Sequence, residues 1–167
     1  MDVSIVNREG FAVAGIKVVA RLRDFFTVVP IAWASLIELL PDLSHAVNAN
    51  LLYGVSPQAD HVASDPARDL YTYLVGVEVR SREGLPRGFE VVEIPAQSYA
   101  TIVCAGPRDP STVSYAYTRL REEIVSRGLT RNPFSYGFEL YDQTQQDVAP
   151  TGSQRFQYDI FEPLVSL

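Results

Sequence analysis

Cysteine is almost absent from this chain. Cys104 is the only one in 167 residues, so no internal disulfide can form. One thiol fits a reducing compartment, and the expected location is cytoplasmic. Lysine is as scarce: Lys17 is the single lysine among 14 basic residues. The arginines are scattered, with no cluster denser than Arg21-x-Arg23 or Arg119-x-Arg121. The formal net charge is -6 and the pI about 4.9. Nucleic-acid binding draws on a basic stripe that neutralises phosphates and releases counterions. With no such stripe, direct nucleic-acid binding is not expected. An acidic chain instead attracts cations over its whole surface.

Long apolar runs are also missing. The longest candidate, 25–40, is interrupted by Pro30 and Glu38, so no membrane-spanning segment is expected. Met1-Asp2-Val3 opens no basic-then-apolar leader. His45 and His61 lie far apart and lack metal-ligand spacing, so no metal is expected. Nucleophile-elbow, phosphate-loop and dinucleotide signatures are all missing, so no cofactor is expected either.

What is present is an ordinary globular composition, 47% apolar and 20% charged. The length suits one domain, residues 1–167. The β-branched stretch Phe11–Ala20 reads as the first strand, with about ten residues before it. Pro30 then reads as a helix start. Ile31, Trp33, Leu36, Ile37 and Leu40 follow at helical spacing, and Pro41 is expected to end or kink the helix. Short strands are expected at 51–55 and 70–79, with 56–69 a polar loop between them. Two more are expected at 89–94 and 98–104, broken at Pro95.

Asp109-Pro110 reads as an N-cap with proline at the first helical position. Val113, Tyr117, Leu120 and Ile124 form its stripe, and Gly128 stands just past the end. Strands at 136–141 and 155–161 flank a polar loop. The order strand, helix, strand, strand occurs twice without any residue-level repeat. It predicts an α+β fold with an antiparallel sheet and two helices covering one face. A groove between the related halves is the natural place for a ligand.

Several stretches in order carry a family resemblance. They are Phe11-Ala-Val-Ala-Gly-Ile, Pro30-Ile-Ala-Trp33, Leu52-Tyr-Gly-Val55 and Tyr71-x-Tyr-x-x-Gly-Val-Glu-Val79. Gly88-Phe-Glu-Val-Val-Glu-Ile-Pro-Ala96 with Tyr99, Phe138-Glu-Leu-Tyr141 and Tyr158-Asp-Ile-x-x-Pro163 follow. Between about residues 10 and 163 the chain resembles the gyrase-inhibitor-like (GyrI-like) effector-binding domains, which also form the ligand-sensing ends of AraC-type and MerR-type multidrug regulators. The resemblance implies a pseudo-twofold fold with a central, aromatic-lined cavity between the halves. It also implies a glutamate in the motif that reads Phe138-Glu139-Leu140-Tyr141 here. Many members bind lipophilic cations, some bind a protein partner, and some hydrolyse strained electrophiles. The regulators carry a helix-turn-helix domain before this module. The short segment ahead of Phe11 makes a stand-alone ligand binder the expectation.

Alternation puts Glu139 and Tyr141 on one strand face and Phe138 and Leu140 on the other. If that face lines a cavity, the carboxylate is desolvated and either stays protonated or takes a cation. The other candidate lining residues are Trp33, Tyr71, Tyr99 and Tyr158, with Phe11 capping one end. Tyr71 and Tyr73 share a strand face. Glu78 and Glu93 are alternative acids, read first as partners in surface salt bridges. Cys104 reads as a buried, inert thiol. The expected ligand is a cationic, aromatic or lipophilic small molecule. The alternatives are a hydrolase of reactive electrophiles with Glu139 as general acid/base, or a protein-directed inhibitor or co-regulator. A protein partner or homo-oligomer is compatible with either.

Overall fold

A computed structural model describes residues 2–58, 69–145 and 155–165. The strands are β1 (Ser4–Arg8), β2 (Phe11–Ala20), β3 (Leu51–Pro57), β4 (Tyr71–Val79), β5 (Glu90–Ile94), β6 (Gln97–Pro107), β7 (Tyr136–Asp142) and β8 (Arg155–Pro163). Among the described residues the two long helices are α1 (Phe25–Leu39), after β2, and α2 (Pro110–Ser126), after β6. The expected polar loops at 56–69 and 142–153, with the Asp60-His61 pair, fall largely outside the described residues.

All eight strands join one antiparallel sheet in the order β1-β6-β8-β7-β3-β4-β2-β5. The units β2-α1-β3-β4 and β6-α2-β7-β8 hold equivalent places about the β3–β7 pair, with β5 and β1 as the two edges. This is the expected α+β pseudo-twofold arrangement. The edge strand β1 is an addition to it. Its sequence, Ser-Ile-Val-Asn-Arg, is short and mostly exposed, and its strand state rests on pairing with β6. β1 lies at one edge of the sheet, yet two residues connect it to β2 near the other. A similar short link joins β5 to β6. These links force the sheet to curl into a half-barrel.

The two sheet faces bury different things. On one, α1 and α2 cover a core that includes Leu36, Val75, Val77, Ile102, Leu120 and Ile160. The other closes on itself around Val13, Tyr53, Val55, Leu74, Ile94, Tyr99, Phe138 and Phe161. Phe138 and Phe161 stack there at 4.4 Å. Arg8 caps this cluster, its guanidinium 5.0 to 5.4 Å from the rings of Phe11, Phe138 and Phe161.

The first helix corrects two expectations. It begins at Phe25, and Pro30 lies inside it rather than at its start. Proline there forgoes the bond its N–H would give the Phe26 carbonyl. The aromatic contacts of Phe25 with Tyr71 and Tyr73, each at 6.1 Å, anchor the extra turn. Together with the 3-10 turns at its two ends, the helical stretch Leu22–Asp42 spans 21 residues at mean hydropathy 1.4. By length and composition alone that is enough to cross a membrane, contrary to the sequence expectation. In this fold its Ala32, Trp33 and Leu36 face packs on the sheet. The second helix follows its sequence signals. Asp109 caps the Ser111 and Thr112 amides, Pro110 stands at the first position, and Gly128 adopts φ +67° just past the end. The amides of Gly128 and Leu129 return to the carbonyls of Val125 and Ile124, satisfying the last turn.

Candidate functional site

β7 alternates Phe138 and Leu140 toward the self-closed face with Glu139 and Tyr141 toward the helices. Glu139 pairs across the strands with Gly54 of β3, at the junction of the two halves. Three phenols converge on its carboxylate. Tyr73 donates to Oε2 at 2.6 Å, Tyr141 to Oε2 at 3.2 Å and Tyr117 to Oε1 at 3.2 Å. They come from β4, β7 and α2, so both halves of the fold build the site. Gly54 makes this possible: a Cβ there would overlap the Tyr73 hydroxyl. The Trp33 ring backs the cluster, edge-on to Tyr141 at 5.2 Å and to Tyr73 at 6.5 Å. Tyr158 packs on Tyr141 at 4.6 Å.

Burial pushes the Glu139 carboxyl above the usual carboxylate range, and its three phenol donors pull it back only in part. The same burial, reinforced by the Glu139 charge, drives the hydroxyls of Tyr73, Tyr117 and Tyr141 well up. These phenols therefore stay neutral and act as donors. Glu139 still keeps partial exposure. It is a desolvated acid that a visitor can reach.

The space above it is a cavity of about 790 Å³ between the sheet, the first half of α1 and one side of α2. Of the residues expected at the site, Glu139, Trp33, Tyr71, Tyr141 and Tyr158 line this cavity. Tyr99 and Phe11 do not, and their expected placement is corrected. Both belong to the opposite, self-closed face, where Tyr99 is fully buried against Phe138 and Phe161. On β6 it is Ala100, Ile102 and Cys104 that turn toward the helices, leaving odd-numbered Tyr99 behind the sheet. Sequence reasoning missed Tyr73 and Tyr117 as carboxylate partners. Tyr73 was marked by sharing a face with Tyr71. Tyr117 gave only the signal of a core helix stripe. Phe25, Phe26 and Val29 add apolar wall from the helical turn that sequence placed before the helix.

The alternative acids have other partners. Glu93 pairs with Arg82 at 2.6 Å on the surface. Glu78 accepts from the Tyr53 hydroxyl at 3.2 Å, where a salt bridge was expected. Cys104 is buried, and burial pushes its thiol to about 11, so it stays a thiol. Among the described residues, no three His, Cys, Asp or Glu side chains gather as a metal site would require.

The model of a family described as integron-associated effector binding protein, Cass2, matches residues 4–163. No curated protein matches by sequence. Among solved structures, the chain is similar to SAV2435 bound to tetraphenylphosphonium, with TM-score 0.71 and 14% identity over 99% of this chain and 95% of that one. It is similar to the EcmrR C-terminal domain, with TM-score 0.67 and 13% identity over 99% and 98% of the two chains. It is also similar to the integron cassette protein VCH_CASS2 from the mobile metagenome of Vibrio cholerae. There the TM-score is 0.59 and the identity 13%, over 98% and 95%. At these identities the likeness is one of fold.

Proposed function

Because the chain belongs to the integron-associated effector-binding family, whose members share the GyrI-like fold, we propose that it binds a lipophilic, aromatic cation in the cavity above Glu139. The observation that carries this reading is the desolvated Glu139 carboxylate, held by three phenols on the floor of an aromatic cavity. At an effective dielectric of roughly 20, a unit cation about 4 Å away gains about 4 kcal/mol. Each aromatic face adds about 0.5–2 kcal/mol when desolvated. Trp33, Tyr73 and Tyr141 supply such faces around the acid. The phenols hold the carboxylate in place before the ligand arrives, so little ordering remains for binding to do. The tetraphenylphosphonium bound to SAV2435 has the same chemistry, a delocalised positive charge inside an apolar shell.

Trp33 is the only tryptophan, so its fluorescence reports on the site. Titration with tetraphenylphosphonium is expected to change that signal saturably. The isosteric Glu139→Gln is expected to weaken binding at least about tenfold, the scale of one lost charge-assisted contact. Neutral triphenylphosphine oxide is expected to bind both forms alike. Equal affinity of the Gln variant for the cation would sink the reading.

A further inference from the structure

The Glu139 carboxylate meets the cavity with most of its hydrogen-bonding capacity already used. An ionised carboxylate offers about four acceptor places, two on each oxygen. Oε2 accepts from Tyr73 at 2.6 Å and from Tyr141 at 3.2 Å, so both of its places are filled. Oε1 accepts from Tyr117 at 3.2 Å. Among the described residues, these three phenols are the side chains that bond to the acid. A single place, on Oε1, remains for a visitor.

The three donors are fixed by the fold. Gly54 leaves the space that the Tyr73 hydroxyl occupies, Trp33 backs Tyr73 and Tyr141 edge-on, and α2 carries Tyr117. Freeing a second place means breaking one of their bonds. A cation, for its part, brings a set number of N–H groups. A primary ammonium has three, a tertiary ammonium one and a quaternary ammonium or phosphonium none. Water satisfies all of them in solution. In the cavity, an N–H beyond the first faces apolar wall such as Phe25, Val29 and Trp33, or at best the uncharged oxygen of a phenol. Asp69, the other acid on the wall, is exposed, and solvent screens its charge. A cation with no N–H has the opposite fault, since it buries the last place on Oε1 unpaired.

We propose that the ligand's charged centre presents one N–H, as a tertiary ammonium does, and that Oε1 of Glu139 accepts it. The inference rests on the reading of Glu139 as the counter-charge of a bound cation, and it narrows the class of cation. Multiply donating heads, primary ammonium and guanidinium among them, are selected against by the phenols that already occupy the acid.

The test is a series in which only the donor number changes. 3,3-Diphenylpropylamine and its N-methyl, N,N-dimethyl and N,N,N-trimethyl forms share one aromatic group and one positive charge. They are titrated at about pH 8, below the ordinary ammonium range, with Trp33 fluorescence as the readout and tetraphenylphosphonium in parallel. Burial of methyl groups alone would raise affinity at every step to the trimethyl form. The expected result is instead a maximum at the dimethyl form, roughly tenfold tighter than the primary amine and severalfold tighter than the trimethyl form. Tyr117→Phe frees a second place on Oε1, and Tyr141→Phe frees one on Oε2. Each is expected to move the maximum to the monomethyl form, whatever it does to affinity as a whole. A steady rise to the trimethyl form, a maximum at the primary or monomethyl form in the wild-type protein, or failure of every amine to bind while the phosphonium does, would overturn the proposal and leave the Glu139 reading standing. A maximum that stays at the dimethyl form in both variants would overturn the assignment to the place left on Oε1. Undiminished binding of the amines and the phosphonium by Glu139→Gln would overturn both readings together.

Discussion

At the scale of residues, the site is one carboxylate and the groups that prepare it. The Glu139 carboxyl is raised by burial and lowered by its three phenols, and the balance lies above its ordinary value. Cation binding needs the ionised form. Affinity is therefore expected to rise with pH through that raised value and then level off, with titrations in buffers from about pH 4 upward as the measurement. The folded protein carries the opposite dependence. Below the ordinary carboxylate range Glu139 is protonated whether folded or not. As pH rises, the unfolded chain ionises first, and stability declines until the folded acid has ionised too. Tyr73→Phe removes the shortest of the three donors, so the onset of cation binding is expected to move to higher pH. Gly54→Ala is expected to act more severely. Its methyl group would occupy the place of the Tyr73 hydroxyl, costing about 1–3 kcal/mol in a denaturant melt and weakening cation binding by displacing that donor. If Gly54→Ala binds tetraphenylphosphonium as tightly as wild type, the glycine does not position the site. Glu139 and Tyr141 were legible in sequence because both lie on one strand at a spacing of two. Gly54 and Tyr117 were not, since each meets Glu139 only across a long stretch of chain.

At the scale of elements, local chemistry set some boundaries and tertiary contacts set others. α2 carries its own start and stop signals, and its observed limits follow them. Gly128→Ala is expected to cost about 1 kcal/mol, because φ +67° is strained for any residue with a Cβ. Thermal or denaturant melts check this, and a neutral result would mean the α2 terminus can re-form without the left-handed residue. α1 has no side-chain cap, and its proline misled the reading of its start. Its first turn is decided by Phe25 packing on Tyr71 and Tyr73, contacts with a strand some fifty residues away. That turn matters for function, since Phe25 and Phe26 are cavity wall. β1 had too little apolar content to read as a strand. It exists because β6 offers it an edge.

At the scale of the whole molecule, the pseudo-twofold sheet places the acid at the junction of its halves. A buried ion cluster steadies the second half beside it. Glu162 of β8 is almost fully buried and meets Arg121 of α2 and Arg131, which bridges to Leu164 from the segment before β7. Glu162→Ala would leave two guanidiniums facing a void. It is expected to cost about 3–5 kcal/mol in a denaturant melt, and to weaken ligand binding by loosening α2 and with it Tyr117. A loss under about 1 kcal/mol would show that the arginines relax to solvent. The sequence by itself determined the order of strands and helices from β2 onward and the alternation that pairs Glu139 with Tyr141. Those properties follow from period-two and helical patterning and from capping chemistry, which act over a few residues. Only the tertiary structure decided which sheet face opens into a cavity, so that Tyr73 and Tyr117 reach Glu139 while Tyr99 and Phe11 are sealed behind the sheet. Alternation gives each strand two faces but leaves them unlabelled. The label comes from where the helices land and how the sheet curls, and both depend on contacts between residues far apart in the chain.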